Sequence, residues 1–333
     1  MTGTRVSNAV PLEDKSGPRT GVLCAGALVL DTLVRPFDDI RWGTTTFVES
    51  IETRVGGSAA NTARALGLLG VAVRVTAFLG KDQAASTIRS ELSRCHVELS
   101  SIIHVDTPTA ETVVLINSAG DRQFLHRKGC SEIAFGNGLE FSPELTSRMA
   151  HFHLASLYVV PNLRQQAPTM LHNARAAGLK TSLDTCWDPR GEWMRVLAPC
   201  LPYLDILFMN EDEAAQICPG KSVPEAGREI SLAGTGMVVV KNSYRGCHVY
   251  TQGREIICPA YEVTARDTTG AGDCFVAGFL AAHLKGETPE RAGLMGNAAG
   301  ALSVQQVGAV EGLLQIGDME EWMAQTALRA LRD

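Results

Sequence analysis

The feature that most narrows the fold is an alternation, from about residue 21 onward, between short β-branched apolar runs and longer stretches with helical spacing. Residues 22–30 read as a buried first strand, 60–69 as a helix ended by Gly70, 71–78 as a strand and 86–95 as a helix. The pattern resumes with a strand at 149–154, a helix at 164–177, strands at 180–183 and 206–209, and a helix at 211–217. It closes with a strand at 237–240 and two helices at 271–285 and 289–305. Parallel strands need crossovers of about a dozen residues, usually helical, so this spacing predicts an α/β fold with a mostly parallel sheet covered on both faces.

Two regions break the alternation. Residues 33–55 and about 107–128 alternate polar and apolar side chains with no helix between, which predicts a small separate β-sheet serving as a lid. The expected organisation is a mobile tail over 1–20, polar and containing Pro11 and Pro18, followed by one large domain over 21–333. A net charge of −6 offers no basic field for a nucleic-acid backbone, and the apolar runs are too short to span a bilayer as helices. Nine widely spaced cysteines, none in a C-x-x-C pair, support neither a zinc ribbon nor a dithiol motif and suit a reducing cytoplasm.

The chemistry concentrates in two glycine segments. In Asp267-Thr268-Thr269-Gly270-Ala271-Gly272-Asp273 the glycines allow a tight turn into an apolar helix. Amides at such a helix start converge with the positive end of its dipole and favour an anion. Asp273 falls in the first turn, where a carboxylate can take the proton of an attacking hydroxyl while amides hold a phosphoryl group. The competing reading is a carboxylate that merely favours the dipole beside a tight turn. The second segment, Gly56-Gly57-Ser58-Ala59-Ala60-Asn61, lets the backbone approach a ligand and offers the Asn61 amide to vicinal hydroxyls. Asp31, at the end of the expected first strand, stands where doubly wound folds bind ligands, or is a turn or cap residue.

Together, and in this order about 210 residues apart, the two segments resemble the N- and C-terminal signatures of the ribokinase-like (PfkB) carbohydrate kinase family. The resemblance runs from about residue 21 to the end. It implies a three-layer αβα sandwich with a β lid, and ATP-dependent phosphorylation of a sugar hydroxyl with magnesium. It implies Asp273 as base, an anion hole from Gly270, Ala271 and Gly272, and sugar contacts at Asp31, Gly56, Gly57 and Asn61. Asn210 and Glu213 resemble an Asn-x-x-Glu element that organises magnesium and phosphate through water. Lys241, Ser243, Gly246 and Thr268 match positions near the nucleotide phosphates, and Asn297 and Gly308 positions near the adenine. Some members bind potassium beside the anion hole, for which Asp267 and Thr269 would be the ligands here. Ser243 and Ser86 each replace a usual glycine.

Other signals carry less. Gly220-Lys221-Ser222 lacks the first glycine of a P-loop, where Ala215 stands, and follows a helix. His151 and His153 share a strand face without a third ligand, and Gly234-Thr235-Gly236 reads as a turn. Arg54, Arg127 and Lys128 fit either a solvated lid surface or contacts to an acidic sugar. Rival functions are a nucleoside kinase of the same family, with Phe124 or Trp42 as the aromatic wall, and a catalytically silent sugar-binding regulator. A nicotinamide oxidoreductase rests on fold analogy alone. An exposed lid could pair two copies into a homodimer through its edges.

Overall fold

The computed structural model describes residues 19–330, so the tail expected over 1–20 lies almost wholly outside the described residues. In chain order the strands are β1 (Gly21–Ala25), β2 (Val29–Arg35), β3 (Ser50–Gly56), β4 (Val73–Leu79), β5 (Ile102–His104), β6 (Ala110–Ile116), β7 (Arg122–Arg127), β8 (Met149–Leu154), β9 (Lys180–Asp184), β10 (Ile206–Asn210), β11 (Met237–Lys241), β12 (Cys247–Thr251) and β13 (Arg254–Cys258). They form a nine-stranded sheet ordered β13-β12-β11-β10-β9-β8-β1-β4-β5 and a four-stranded sheet ordered β3-β2-β6-β7.

The large sheet is parallel from β5 to β11 and ends in an antiparallel hairpin, β12–β13. Both faces are buried, and the two-residue period sorts the side chains between them. Val22 and Cys24 of β1 join one core with Phe208 of β10 and Val239 of β11. Leu23 and Ala25 join the other with Leu207, Met209, Val238 and Val240. The first core lies under the helices Ser58–Leu68, Ala271–Leu284 and Pro289–Ser303, the second under Leu163–Ala176 and Val223–Leu232. This is the three-layer α/β sandwich that the alternation predicts.

One expected strand is two. The run 22–30 is broken at Gly26, where φ is +150° and a Cβ would sit 2.7 Å from the Ala155 carbonyl. After that turn the chain leaves the large sheet and continues as β2 of the small one. Both pieces are apolar because both are buried where they part, so no change of period marks the break. Asp31 therefore sits on the lid sheet, beside Arg54 of β3 and Thr112 of β6, rather than at the end of a central strand.

The small sheet occupies the two segments that break the alternation. In-register pairs Asp31–Thr112, Leu33–Val114 and Val114–Phe124 share one face, and Arg122 and His126 alternate onto it with Phe124. Among expected turns and caps, Ser222 starts the helix Val223–Leu232 with a capping box to Glu225, which accounts for Gly220-Lys221-Ser222. Ser86 lies inside the helix Gln83–Arg94, its hydroxyl donating to the Asp82 carbonyl. The helices Val223–Leu232 and Ile316–Gln325 and the β12–β13 hairpin were not read from the sequence. All nine cysteines are free, eight of them buried. Among the described residues no helix is long and apolar enough to cross a membrane.

Candidate active site

The helix Ala271–Leu284 is apolar all round and lies between the large sheet and two other helices, so its start is a fixed point. Gly270 caps it at φ +69°, a left-handed conformation that leaves no room for a side chain, since a Cβ would lie 2.6 Å from that of Ala309. The Ala271 amide donates to the Thr268 carbonyl at 3.3 Å, so Gly270 and Gly272 supply the amides left open at this end.

Two cavities meet at this helix start. One, of about 280 Å³, is lined by Lys241, Ser243, Gly246, Thr268, Gly272 and Asn297. The other, of about 250 Å³, lies under the small sheet and is lined by Asp31, Gly56, Gly57, Asn61 and Asp273. Consecutive residues Gly272 and Asp273 thus face different cavities.

Asp273 is held by the Asn61 amide, whose Nδ2 donates to Oδ2 at 2.9 Å. Burial, with the negative charge of Asp184 behind it, pushes the Asp273 carboxyl up to about 7, against the opposing effects of Asn61 and Lys241. Burial also raises Asp31, which Thr112 partly offsets. A Cβ on Gly56 would fall 2.0 Å from Asp31 Oδ2, so this glycine gives the carboxylate its place. Gly57, at φ +91°, passes so close to the Ala27 carbonyl that a Cβ would lie 2.4 Å from it.

On the other side, Lys241 Nζ pairs with both oxygens of buried Asp184, at 2.7 and 2.9 Å. Burial works against the Lys241 charge, but Asp184 and Glu213 outweigh it and hold the ammonium protonated. Asp184, which sequence reasoning missed, ends β9 at the carboxyl edge of the sheet, and that position was the available signal. Asn210 and Glu213 line neither cavity. They form a capping box at the start of Glu211–Ile217, and Glu213 Oε2 also accepts from Thr185 Oγ1 at 2.6 Å. Among the described residues no group of three or more His, Cys, Asp or Glu is placed to hold a metal directly. The negative charge of Glu213 nevertheless adds to burial in raising the Asp184 and Asp273 carboxyls, with Lys241 as the cation between them, an excess of negative charge that suits a cation carried in by a ligand.

The other expected residues line one cavity or neither. Arg127 is turned away from the cavity, because the β7 alternation that brings Arg122, Phe124 and His126 inward sends it outward to Glu111. Gly308 lines the cavity under the lid rather than the Lys241 side, its amide tied to Asp267 Oδ2 at 3.1 Å. Asn297 lines the Lys241 cavity, but its amide is engaged with the carbonyls of Cys258 and Pro259. Ser243 keeps a left-handed φ of +51° where a glycine would be unstrained. Asp267 and Thr269 bond Arg122, a residue missed in the sequence although it lies two positions from Phe124. Tyr244, Phe275 and Arg329 complete the Lys241 cavity without having been foreseen. His151 and His153, fully buried, both bond the Ser182 hydroxyl and are structural.

A profile described as "pfkB family carbohydrate kinase" matches residues 20–316. The ATP-dependent ribose-1-phosphate kinase of Halopiger xanaduensis is 32% identical over 260 residues, covering 76% of this chain and 81% of that one. Arabidopsis thaliana ribokinase, solved with ribose and ATP, superposes with a TM-score of 0.79 at 23% identity, covering 91% of this chain and 98% of the other. A putative ribokinase II from E. coli, solved with ATP and Mg2+, gives 0.80 at 21% identity, covering 92% and 99%.

Proposed function

For a chain that belongs to the pfkB family of carbohydrate kinases, phosphotransferases acting on sugar hydroxyls, we propose transfer of the ATP γ-phosphoryl group to a primary hydroxyl of a small sugar. The observation that carries the reading is the helix start at Gly270–Asp273, which stands between the two cavities. ATP occupies the cavity beside Lys241, and the sugar occupies the one under the lid. Asp31, Asn61 and the Gly56-Gly57 backbone hold the sugar hydroxyls. Asp273 Oδ accepts the proton of the attacking hydroxyl, and the Gly270 and Gly272 amides stabilise the charge on the transferring oxygens.

A carboxyl near 7 is half ionised at neutral pH, which is where a general base combines availability with driving force. Lys241 brings a cation to the nucleotide side, and Asp184 fixes its position. Glu213, whose Oε2 accepts from Thr185 Oγ1 and the Asn210 amide, would hold a nucleotide-borne magnesium through water, and that ion would supply neutralisation of phosphate charge. The Halopiger relative, named for ATP and ribose 1-phosphate, supports ATP as donor and a pentose-sized acceptor. Asp273→Asn is expected to bind sugar normally and to lose roughly 10²–10⁴-fold in kcat. Turnover near that of the unaltered protein in an ADP-release assay would remove Asp273 from the mechanism.

A nucleoside acceptor is the second reading, favoured by one observation. A third cavity, of about 320 Å³, shares Gly57, Ser58 and Phe124 with the sugar cavity and is walled by Val159, Val160 and Pro189. Phe124 is 57% exposed there, a ring available to stack on a base. A screen of ADP release across pentoses, hexoses, acidic keto sugars, sugar 1-phosphates and nucleosides decides between the readings. The outer face of the lid supports a homodimer: Ile51, Val113 and Leu125 are exposed on it and apolar.

A further inference from the structure

We propose that the lid residue Arg122 takes the place of a monovalent cation beside the anion hole and thereby latches the lid onto the segment that holds the transferring phosphoryl group. The inference rests on the phosphoryl-transfer reading of Asp273 and the adjacent amides. Asp267 and Thr269, the two residues that the family resemblance assigns to potassium, do not fit that role here because their side-chain oxygens are taken. Asp267 Oδ1 accepts from Arg122 Nη2 at 3.0 Å, from the Thr269 amide at 3.0 Å and from the Thr269 hydroxyl at 2.7 Å. Its Oδ2 accepts from the Gly308 amide at 3.1 Å. Arg122 Nη1 donates to the Thr269 hydroxyl at 2.7 Å, so one guanidinium holds both residues in a planar fork.

The charge balance agrees. The Asp267 side chain is only 10% exposed, and the Arg122 guanidinium forms an ion pair with it at 3.0 Å. The anionic side chain therefore already has its cation, and a metal ion entering at this point would meet a guanidinium at contact distance. Arg122 lies on β7 and Asp267 just before Gly270, 145 residues away. The pair joins the small sheet over the sugar cavity to the segment before Gly270, so lid position and the geometry of the 267–272 turn are tied through one ion pair. A cation from solvent would order the turn whether the lid was open or closed; an arginine on the lid orders it only in the closed form. Arg122 is thus a positioning residue, acting on the anion hole through Asp267 and Thr269.

The test compares the full chain with Arg122→Ala and Arg122→Lys in potassium chloride and in tetramethylammonium chloride at equal ionic strength. Turnover is read by ADP release and, independently of turnover, the thermal unfolding midpoint is followed against potassium. The expected result is an unaltered protein whose kcat differs less than twofold between the salts and whose midpoint ignores potassium. Arg122→Ala is expected to lose roughly 10–100-fold in kcat, with less change in KM for ATP, since a displaced turn costs on that scale. Millimolar guanidinium or potassium should restore part of that loss, and Arg122→Lys should fall between the two. Several-fold activation or stabilisation of the unaltered protein by potassium overturns the proposal, as does full turnover in Arg122→Ala. Asp273→Asn, assayed alongside, separates the two ideas: activity in it removes the base assignment, while the potassium midpoints still judge the latch.

Discussion

At the scale of single residues, the site depends on burying a carboxylate that ought to be in water. Asp273 has its carboxyl raised from 3.8 to about 7 mainly by desolvation. Its base form therefore accumulates as pH rises through about 7, and kcat/KM for the sugar is expected to climb over that range and level off above it. The same shift has a stability sign. Between about 4 and 7 the native state binds a proton that the unfolded chain has released, so stability falls as pH rises across that window. Asp273→Asn removes the cost and is expected to stabilise the fold at pH 8 by on the order of 2–4 kcal/mol, and little at pH 4. Urea unfolding of the two proteins at both pH values checks this; equal stability at pH 8 would contradict it. Ser243 is the second residue of this kind, with a left-handed φ of +51° in the loop beside the nucleotide cavity. Ser243→Gly relieves that conformation and is expected to add about 1 kcal/mol of stability, read as a shift in the urea midpoint.

At the scale of elements, the two-residue period of strands decides which side chains reach the site. On β7 it sends Arg122, Phe124 and His126 inward and Arg127 outward, although three of the four are basic or weakly basic. On β8 the same period places His151 and His153 side by side in the core, both against Ser182 of β9. Burial lowers both imidazoles to about 3, so each stays neutral in the native state and charges near 6.5 in the unfolded chain. The unfolded state then binds the extra protons below about 6.5, and stability is lost as pH falls from there toward 3. Each histidine contributes about 1.4 kcal/mol per pH unit to that loss. Asp273 and Asp184 work in the opposite sense over part of the range, so the informative quantity is a difference. A His151→Gln/His153→Gln variant is expected to lose markedly less stability between pH 6 and pH 4 than the unaltered protein; parallel curves would show that the imidazoles are not buried neutral.

At the scale of the whole molecule, the lid presents one face to the substrate and the other to solvent. Ile51 is 67% exposed and Leu125 55%, on the outer face of the small sheet, which no other element among the described residues covers. Leu125→Glu is expected to leave the sugar cavity intact and to shift the mass measured by light scattering from a dimer to a monomer. A monomer before the substitution would dispose of lid pairing. The sequence determined by itself the α/β class, the lid segments and the two glycine motifs, because strand and helix periods and tight turns are local properties written in adjacent residues. It also placed Asp273, Asn61 and Gly57 among the candidates, since each belongs to a contiguous motif. What it could not determine are relations between distant positions. The break at Gly26 was hidden because both resulting strands are buried there. The Asn61–Asp273 bond, the Lys241–Asp184 pair and the Arg122–Asp267 pair join residues 212, 57 and 145 positions apart. Only the packed large sheet and the small sheet beside it bring these charges within hydrogen-bond reach, and only there does burial turn an ordinary aspartate into one that titrates near neutrality.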